Sequence, residues 1–124
     1  ESVDLVSQKH PEVTIIELNW WDVLSQDTID KVFSEVAFPG WAFEHAAITE
    51  TSLMMYLAPE LVREDKITDE MGVEPATYAK YPIVEGMVPA SGVLAPAVSS
   101  SAEKGKLMTD EAISAFIEIA DRNF

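Results

Sequence analysis

The segment Glu12-Val13-Thr14-Ile15-Ile16-Glu17-Leu18-Asn19 follows a break at His10-Pro11 and is rich in β-branched residues. Its apolar side chains are too closely spaced for a strand that buries only one face. A dense apolar run of this length is typical of a strand covered on both faces, as in parallel sheets. We therefore predict a central parallel strand of an α/β fold over Glu12–Asn19.

The residues at the carboxyl end of this predicted strand are Asn19, Trp20, Trp21 and Asp22. Parallel strands present ligand-binding residues at their carboxyl ends. The tandem tryptophans are therefore expected where α/β folds bind ligands.

Upstream of the strand, Glu1–His10 has the pattern of the last turns of a helix, with Val3, Leu5 and Val6 predicted to face inward. The chain opens without an initiator methionine, a basic segment or an apolar leader. We therefore expect that it starts within a domain.

Downstream of the strand, apolar spacing predicts two further helices. Ser25 is a candidate cap for the first, which is predicted to end before Pro39-Gly40, and its apolar face contains Ile29, Val32, Phe33 and Val36. The second, Ala46–Leu57, is apolar nearly all round, so that burial of most of its surface is expected.

The last third of the chain divides into a connection and a helix. Residues 65–101 lack a clear period, and connections of this length inside a domain are usually functional or disordered. Ser100 and Glu103 have the spacing of a capping box at the start of the final helix. Its predicted buried face contains Met108, Ala112, Ala115, Phe116, Ile119 and Ala120.

Composition narrows the classes of partner. The chain has 22 acidic and 8 basic residues among 124, a formal net charge of −14. Such a surface disfavours nucleic acid and anionic membranes, since both are bound through Lys and Arg. The chain has no Cys, which excludes disulfides and thiolate chemistry. Its apolar runs are shorter than the ~20 residues of a membrane helix, and a cytoplasmic location is expected.

His45 is the candidate acid–base residue, because the other histidine, His10, lies in a polar loop. Glu44 precedes it and Trp41 lies four residues upstream, which places a carboxylate and an aromatic face close by. A structural capping role for the pair explains the same pattern. One histidine with Glu44 and Glu50 cannot supply a two-metal centre, so the ligands of any such centre are expected elsewhere.

A longer motif surrounds His45. The run Pro39-Gly40-Trp41-Ala42-Phe43-Glu44-His45-Ala46-Ala47-Ile48-Thr49-Glu50-Thr51-Ser52-Leu53-Met54 is followed by Leu57, Pro59, Leu61 and Val62. It resembles the signature of the creatininase (creatinine amidohydrolase) family. The resemblance extends upstream to Leu18–Asp22 and downstream to Gly92–Leu94 and Ser101–Leu107, in the same order. Residues 1–124 thus resemble the carboxyl-terminal part of a single creatininase-like domain.

The resemblance implies a layered α/β fold with a mainly parallel sheet and flanking helices. It also implies a divalent metal pair, zinc or manganese, with its ligands mostly in the amino-terminal half, outside this chain. That half is then a partner of this one, the completed enzyme is a homo-oligomer, and this chain alone is expected to be inactive.

The resemblance also assigns roles to residues of this chain. His45 and Glu44 would be catalytic, with His45 as the general acid and base at a cyclic amide. Trp21, Trp41 and the Ala42 backbone would bind the substrate. Glu50, Thr51 and Ser52 would orient His45 or the metal ligands instead of reacting.

Two positions bear on the substrate. Ile48 and Trp41 are closer to true creatininases than to relatives that hydrolyse other amides or trim peptides, which favours the conversion of creatinine and water to creatine. A second hypothesis is that the enzyme acts on another amide or on a peptide. A third hypothesis is a non-catalytic acidic module that binds a protein through Trp20, Trp21 and Trp41.

Overall fold

The computed structural model describes residues 2–70, 80–82, 84–86 and 89–124. These residues form four α-helices: α1 (Ser2–Lys9), α2 (Gln26–Val32), α3 (Ile48–Leu57) and α4 (Ala102–Asn123). Single turns of 3-10 helix lie at Trp20–Val23, Trp41–Phe43, Pro59–Leu61 and Glu64–Lys66. No helix among the described residues is long and apolar enough to cross a membrane.

The predicted central strand is not formed. Residues 12–19 have no regular secondary structure, and the described part of the chain contains no β-strand. A strand is stabilised by ladder hydrogen bonds to a neighbouring strand, and no other described segment supplies one. Val13, Ile15 and Leu18 are accordingly 49%, 38% and 37% exposed instead of covered on both faces.

Helix α1 is present, but its expected burial is not. It contains no buried residue, and both Leu5 and Val6 are exposed. The inward orientation predicted for these side chains is therefore wrong for the structure of this chain, because no described element packs over them closely enough to bury them.

Helix α2 begins as predicted. The Ser25 hydroxyl accepts a hydrogen bond from the Thr28 amide at 3.3 Å, which satisfies a free amide of the first turn. The helix ends at Val32, earlier than the apolar spacing suggested, and Val36 packs against the core from the following loop.

Helix α3 begins two residues later than predicted and buries only one face. Its buried residues are Ile48, Thr49 and Ser52, whereas Met54 and Leu57 are 42% and 62% exposed. The expectation of a largely buried helix is thus wrong, since only one side of α3 faces α4.

Helix α4 is capped by Ser101, not by Ser100. The Ser101 hydroxyl accepts from the Lys104 amide at 3.2 Å, while the Ser100 hydroxyl donates to the carbonyl of Ile48 at 3.4 Å. The predicted capping box of Ser100 with Glu103 is therefore not formed, and Ser100 instead links the start of α4 to α3. Met108 and Ala112 are buried as predicted, but Ala120 is exposed.

The core lies where α2, α3 and α4 meet. Its buried members are Leu24, Val32, Phe33, Ile48, Met108 and Ala112. Helices α3 and α4 cross at Gly105, where a Cβ atom would lie 2.0 Å from the backbone oxygen of Ser52. Only glycine allows this approach, and the contact at Ser52 packs the middle of α3 directly on α4.

Candidate active site

His45 lies in the loop between the 3-10 turn Trp41–Phe43 and α3. Its side chain is 67% exposed, and its Nδ1 atom lies 3.9 Å from Oε2 of Glu50. Its backbone carbonyl accepts a hydrogen bond from the Leu94 amide at 3.2 Å. The imidazole is therefore open to a small molecule while its backbone is fixed.

Glu44 is buried, with 7% of its surface exposed. Its Oε2 accepts from the backbone amide of Thr49 at 2.8 Å and from the Thr49 hydroxyl at 2.7 Å. The carboxylate thus binds the free amide of the first turn of α3, where the helix dipole favours negative charge. For Glu44, this geometry supports the structural capping role that the sequence left open.

Two opposing influences act on the Glu44 carboxyl group. Burial raises its pKa, the two Thr49 hydrogen bonds partly offset this, and the nearby charge of Glu50 raises the pKa further. The other oxygen, Oε1, is buried and has no hydrogen-bond partner among the described residues. The net result is a pKa above the usual value for glutamate.

Glu50 and Thr51 both bind the backbone of Ala46. Oε2 of Glu50 accepts from the Ala46 amide at 2.7 Å, and the Thr51 hydroxyl donates to the Ala46 carbonyl at 3.2 Å. Ala46 has φ of +53°, a left-handed conformation that costs a residue with a side chain about 1–2 kcal/mol. These two side chains therefore hold a strained turn directly after His45.

Ser52 does not reach this turn. It is fully buried, and its hydroxyl accepts from the Ser101 amide at 3.2 Å, at the start of α4. Of the three consecutive residues expected to orient His45, the structure brings Glu50 and Thr51 to its loop and places Ser52 between the helices.

The three tryptophans form one cluster. The ring centroids of Trp21 and Trp41 are 6.2 Å apart with an interplanar angle of 29°, and Trp20 meets both rings edge-on at 5.8 and 6.1 Å. A flat ring held between two indole faces needs a separation of about 7 Å, twice a carbon contact distance. The centroids of Trp21 and Trp41 are closer than this, so one ring has to move before both can enclose a substrate.

The loop that carries Trp41 packs on two phenylalanines, of which Phe38 had not been singled out from the sequence. Phe38 packs edge-on against Trp41 at 5.0 Å and against Phe33 at 4.7 Å. Gly40 has φ of +93° and open space around its Cα, and Ala42 follows within the 3-10 turn. Trp41 is thus connected to the core through Phe38 yet lies beside a residue that permits unusual backbone conformations.

Two other contributors to the site, Thr49 and Leu94, had not been assigned roles. Both lie within segments that carry the family resemblance, which is the one signal that could have identified them. The hydrogen bond from Leu94 to His45 joins residues 49 positions apart, a pairing that no local pattern indicates.

A cleft of about 400 Å³ opens on the α3 side of the turn. Ala46, Glu50, Thr51, Arg63 and Val93 are among its lining residues, whereas His45 and the tryptophans are not. This cleft is thus next to the acid–base candidate without including it.

The described residues contain no group of three or more His, Asp or Glu side chains that could hold a metal ion. His45 and Glu50 are the only imidazole and carboxylate that approach each other in the turn before α3. The residues of this chain that the structure describes therefore do not fit a dinuclear metal site.

An exposed imidazole beside a carboxylate at the amino end of α3, four residues after a tryptophan that belongs to an aromatic cluster, is the kind of site that enzymes acting on small molecules possess. The comparisons with known proteins identify the family. The family model "Creatininase: Creatinine amidohydrolase" matches residues 3–120, and this chain belongs to that family.

Individual proteins that are similar to this chain agree with the family assignment. A creatinine amidohydrolase of Pseudomonas putida is 31% identical over 113 residues, which are 89% of this chain and 42% of that protein. A mutant creatininase in a Zn-Zn form superposes with a TM-score of 0.88 at 29% identity, covering 98% of this chain and 49% of the other. A manganese form of creatininase gives a TM-score of 0.83 at 28% identity, with coverages of 99% and 49%.

The fold is therefore creatininase-like, and the chain spans about half the length of the relatives it matches. A mutant creatininase complexed with creatine is also among the similar structures, with a TM-score of 0.81 and 29% identity over 94% of this chain and 48% of that one.

Proposed function

We propose that this chain supplies one half of a hydrolase that converts creatinine and water to creatine. The observation that carries the proposal is the match of residues 3–120 to the creatininase family. The similarity to a creatininase that holds creatine supports the choice of a small planar guanidine compound as substrate.

In this proposal His45 transfers the proton at the cyclic amide. Opening of a lactam leaves a ring nitrogen that must gain a proton, and an imidazole can donate one near neutral pH. The exposure of the His45 side chain and its position beside the Trp41 turn support this role. Glu44 acts from the buried side, where its carboxylate holds Thr49 and the first turn of α3.

Trp21 and Trp41 form the aromatic part of the proposed binding site, together with the Ala42 backbone. A flat, partly cationic guanidine compound is attracted to indole faces. Since the two indole centroids are closer than a ring held between them requires, substrate entry requires their separation, and Gly40 is the residue where the Trp41 turn can move.

The metal pair is proposed to lie on residues outside this chain, in the other half of the domain. Zinc and manganese forms of related creatininases support a divalent pair in the family, whereas the described residues here provide no cluster for one.

The other half of the domain, outside this chain, is also the proposed partner for the exposed apolar residues of α1 and residues 13–18. We propose that it completes the parallel sheet next to that segment and covers Val13, Ile15 and Leu18, which are exposed in the chain itself. Further assembly into a homo-oligomer is proposed for the completed enzyme.

The test is His45→Ala in the complete, metal-loaded enzyme, with creatine formation followed by NMR and metal content measured by emission spectroscopy. Turnover should be abolished and metal content should stay near that of the unmodified enzyme. The matched control is His10→Ala, because the His10 side chain is exposed and its ion-pair partner is the exposed Glu12.

Unchanged turnover of the His45 variant would remove this residue from the mechanism, and a simultaneous loss of metal would make it a ligand instead. If the unmodified enzyme hydrolyses another amide or a small peptide but not creatinine, the family assignment stands and the proposed substrate is wrong.

A further inference from the structure

A left-handed turn at Ala46 separates His45 from α3. Its φ of +53° is the one positive value of a non-glycine residue in the described part of the chain. Such a conformation persists only where the surrounding structure holds it. What holds this residue therefore also determines how His45 is presented.

The peptide group between His45 and Ala46 is bound on both sides. Its carbonyl, from His45, accepts from the Leu94 amide at 3.2 Å, and its N–H, from Ala46, donates to Oε2 of Glu50 at 2.7 Å. The next carbonyl along the chain, that of Ala46, accepts from the Thr51 hydroxyl at 3.2 Å. Three hydrogen bonds from two other segments thus define the backbone on which His45 stands.

The His45 side chain has no comparable support. It is 67% exposed, and its Nδ1 lies 3.9 Å from Oε2 of Glu50, which is beyond hydrogen-bond distance. Its direction is therefore set mainly by the backbone, so that a contact to the backbone of Ala46 acts on the imidazole indirectly.

We propose that Glu50 is a positioning residue for His45: its carboxylate holds Ala46 in the left-handed turn, with Thr51 as a second support, and thereby directs the imidazole towards the substrate. This inference rests on the proposed proton transfer by His45. It assigns to Glu50 a hydrogen bond to the backbone, not a charge effect on the imidazole and not metal ligation.

The distinction can be tested with four variants of the metal-loaded enzyme. Glu50→Ala removes the acceptor, Glu50→Gln retains an acceptor oxygen without the charge, and Ala46→Gly makes the left-handed turn easy to adopt. The fourth combines Glu50→Ala with Ala46→Gly. Glu60→Ala, at an exposed glutamate of the 3-10 turn Pro59–Leu61, is the control that should keep full activity.

In Glu50→Ala, kcat for creatinine should fall at least about tenfold with KM within about twofold, because misplacement of a reacting group affects the chemical step. Glu50→Gln should lose much less, and Ala46→Gly should restore most of the kcat lost in Glu50→Ala. Amide hydrogen exchange at Ala46, measured by NMR, should accelerate in Glu50→Ala but not in Glu50→Gln.

Several results would overturn the inference. These are an unchanged kcat in Glu50→Ala, equal losses in the Ala and Gln variants, no restoration by Ala46→Gly, or a loss of bound metal in Glu50→Ala. The exchange rate at Ala46 does not depend on the substrate. If the unmodified enzyme does not hydrolyse creatinine, the exchange data therefore still decide whether Glu50 holds the turn.

Discussion

The helix pair α3 and α4 and the segment from α1 to Asn19 are both rich in apolar side chains, but only the pair buries some of them completely. Met108 in α4 is fully buried and Ala112 nearly so. In contrast, α1 has no buried residue, and Ile15 in the following segment is 38% exposed.

The difference lies in the presence of a complementary surface. Gly105 lets α4 approach the backbone of α3 at Ser52, and the Ser52 hydroxyl in turn receives the Ser101 amide at the start of α4. Residues 12–19 have apolar side chains but no described neighbouring strand. An apolar pattern thus shows that a segment can be buried, whereas burial itself requires a partner of the right shape.

The largest effect is expected from Gly105→Ala. The added Cβ would lie 2.0 Å from the Ser52 oxygen and 2.9 Å from the Cβ of Tyr56, so the helices have to separate. We expect a loss of at least about 4 kcal/mol, the range in which a marginally stable domain no longer folds. Chemical denaturation measures this, with Asp121→Ala on the exposed side of α4 as the control. A loss below about 1 kcal/mol would show that the helix contact is adjustable.

A smaller effect is expected from Met108→Ala, which leaves a cavity in the core. The expected loss is about 2–5 kcal/mol, compared with less than about 0.5 kcal/mol for Ile15→Ala in this isolated chain. Measuring the Met108→Ala and Ile15→Ala variants in the complete enzyme as well sharpens the comparison. There, Ile15→Ala should become clearly destabilising if the other half covers this residue, and an unchanged small effect would argue against that packing.

The smallest effect concerns the pH dependence of stability at Glu44. Because burial raises its pKa, the folded state binds the proton more tightly than the unfolded state, whose value is near 4.5. The free energy of unfolding therefore falls as pH rises from the unfolded pKa to the higher folded pKa. Above the folded pKa, the full cost of ionising the buried Glu44 carboxyl group is present. Glu44→Gln should remove this contribution.

Urea unfolding of both proteins across the acidic range measures the difference. The stability of Glu44→Gln relative to the unmodified chain should increase with pH, while Glu60→Gln, at an exposed position, should show no such trend. A relative stability that decreases with rising pH would mean that the Thr49 hydrogen bonds outweigh burial.

Some features followed from local chemistry. The Ser25 cap and the existence of all four helices were predicted correctly, because capping residues and helical spacing act within a few positions. The predicted strand was not formed, since pairing with another strand is a long-range event. The cap of α4 was misplaced by one residue because Ser100 and Ser101 are equivalent locally, and only contact with α3 distinguishes them.

The sequence by itself determined the helices, the acidic surface, the family and the candidate residues around His45, since these depend on residue identity and short spacing. The tertiary structure decided what those residues do. It placed the Glu44 carboxylate on Thr49, brought Leu94 to the backbone of His45, stacked Trp21 on Trp41 and set Ala46 in a left-handed turn against Glu50. These arrangements depend on contacts across the fold and on how the chain closes around its core, which no local pattern contains.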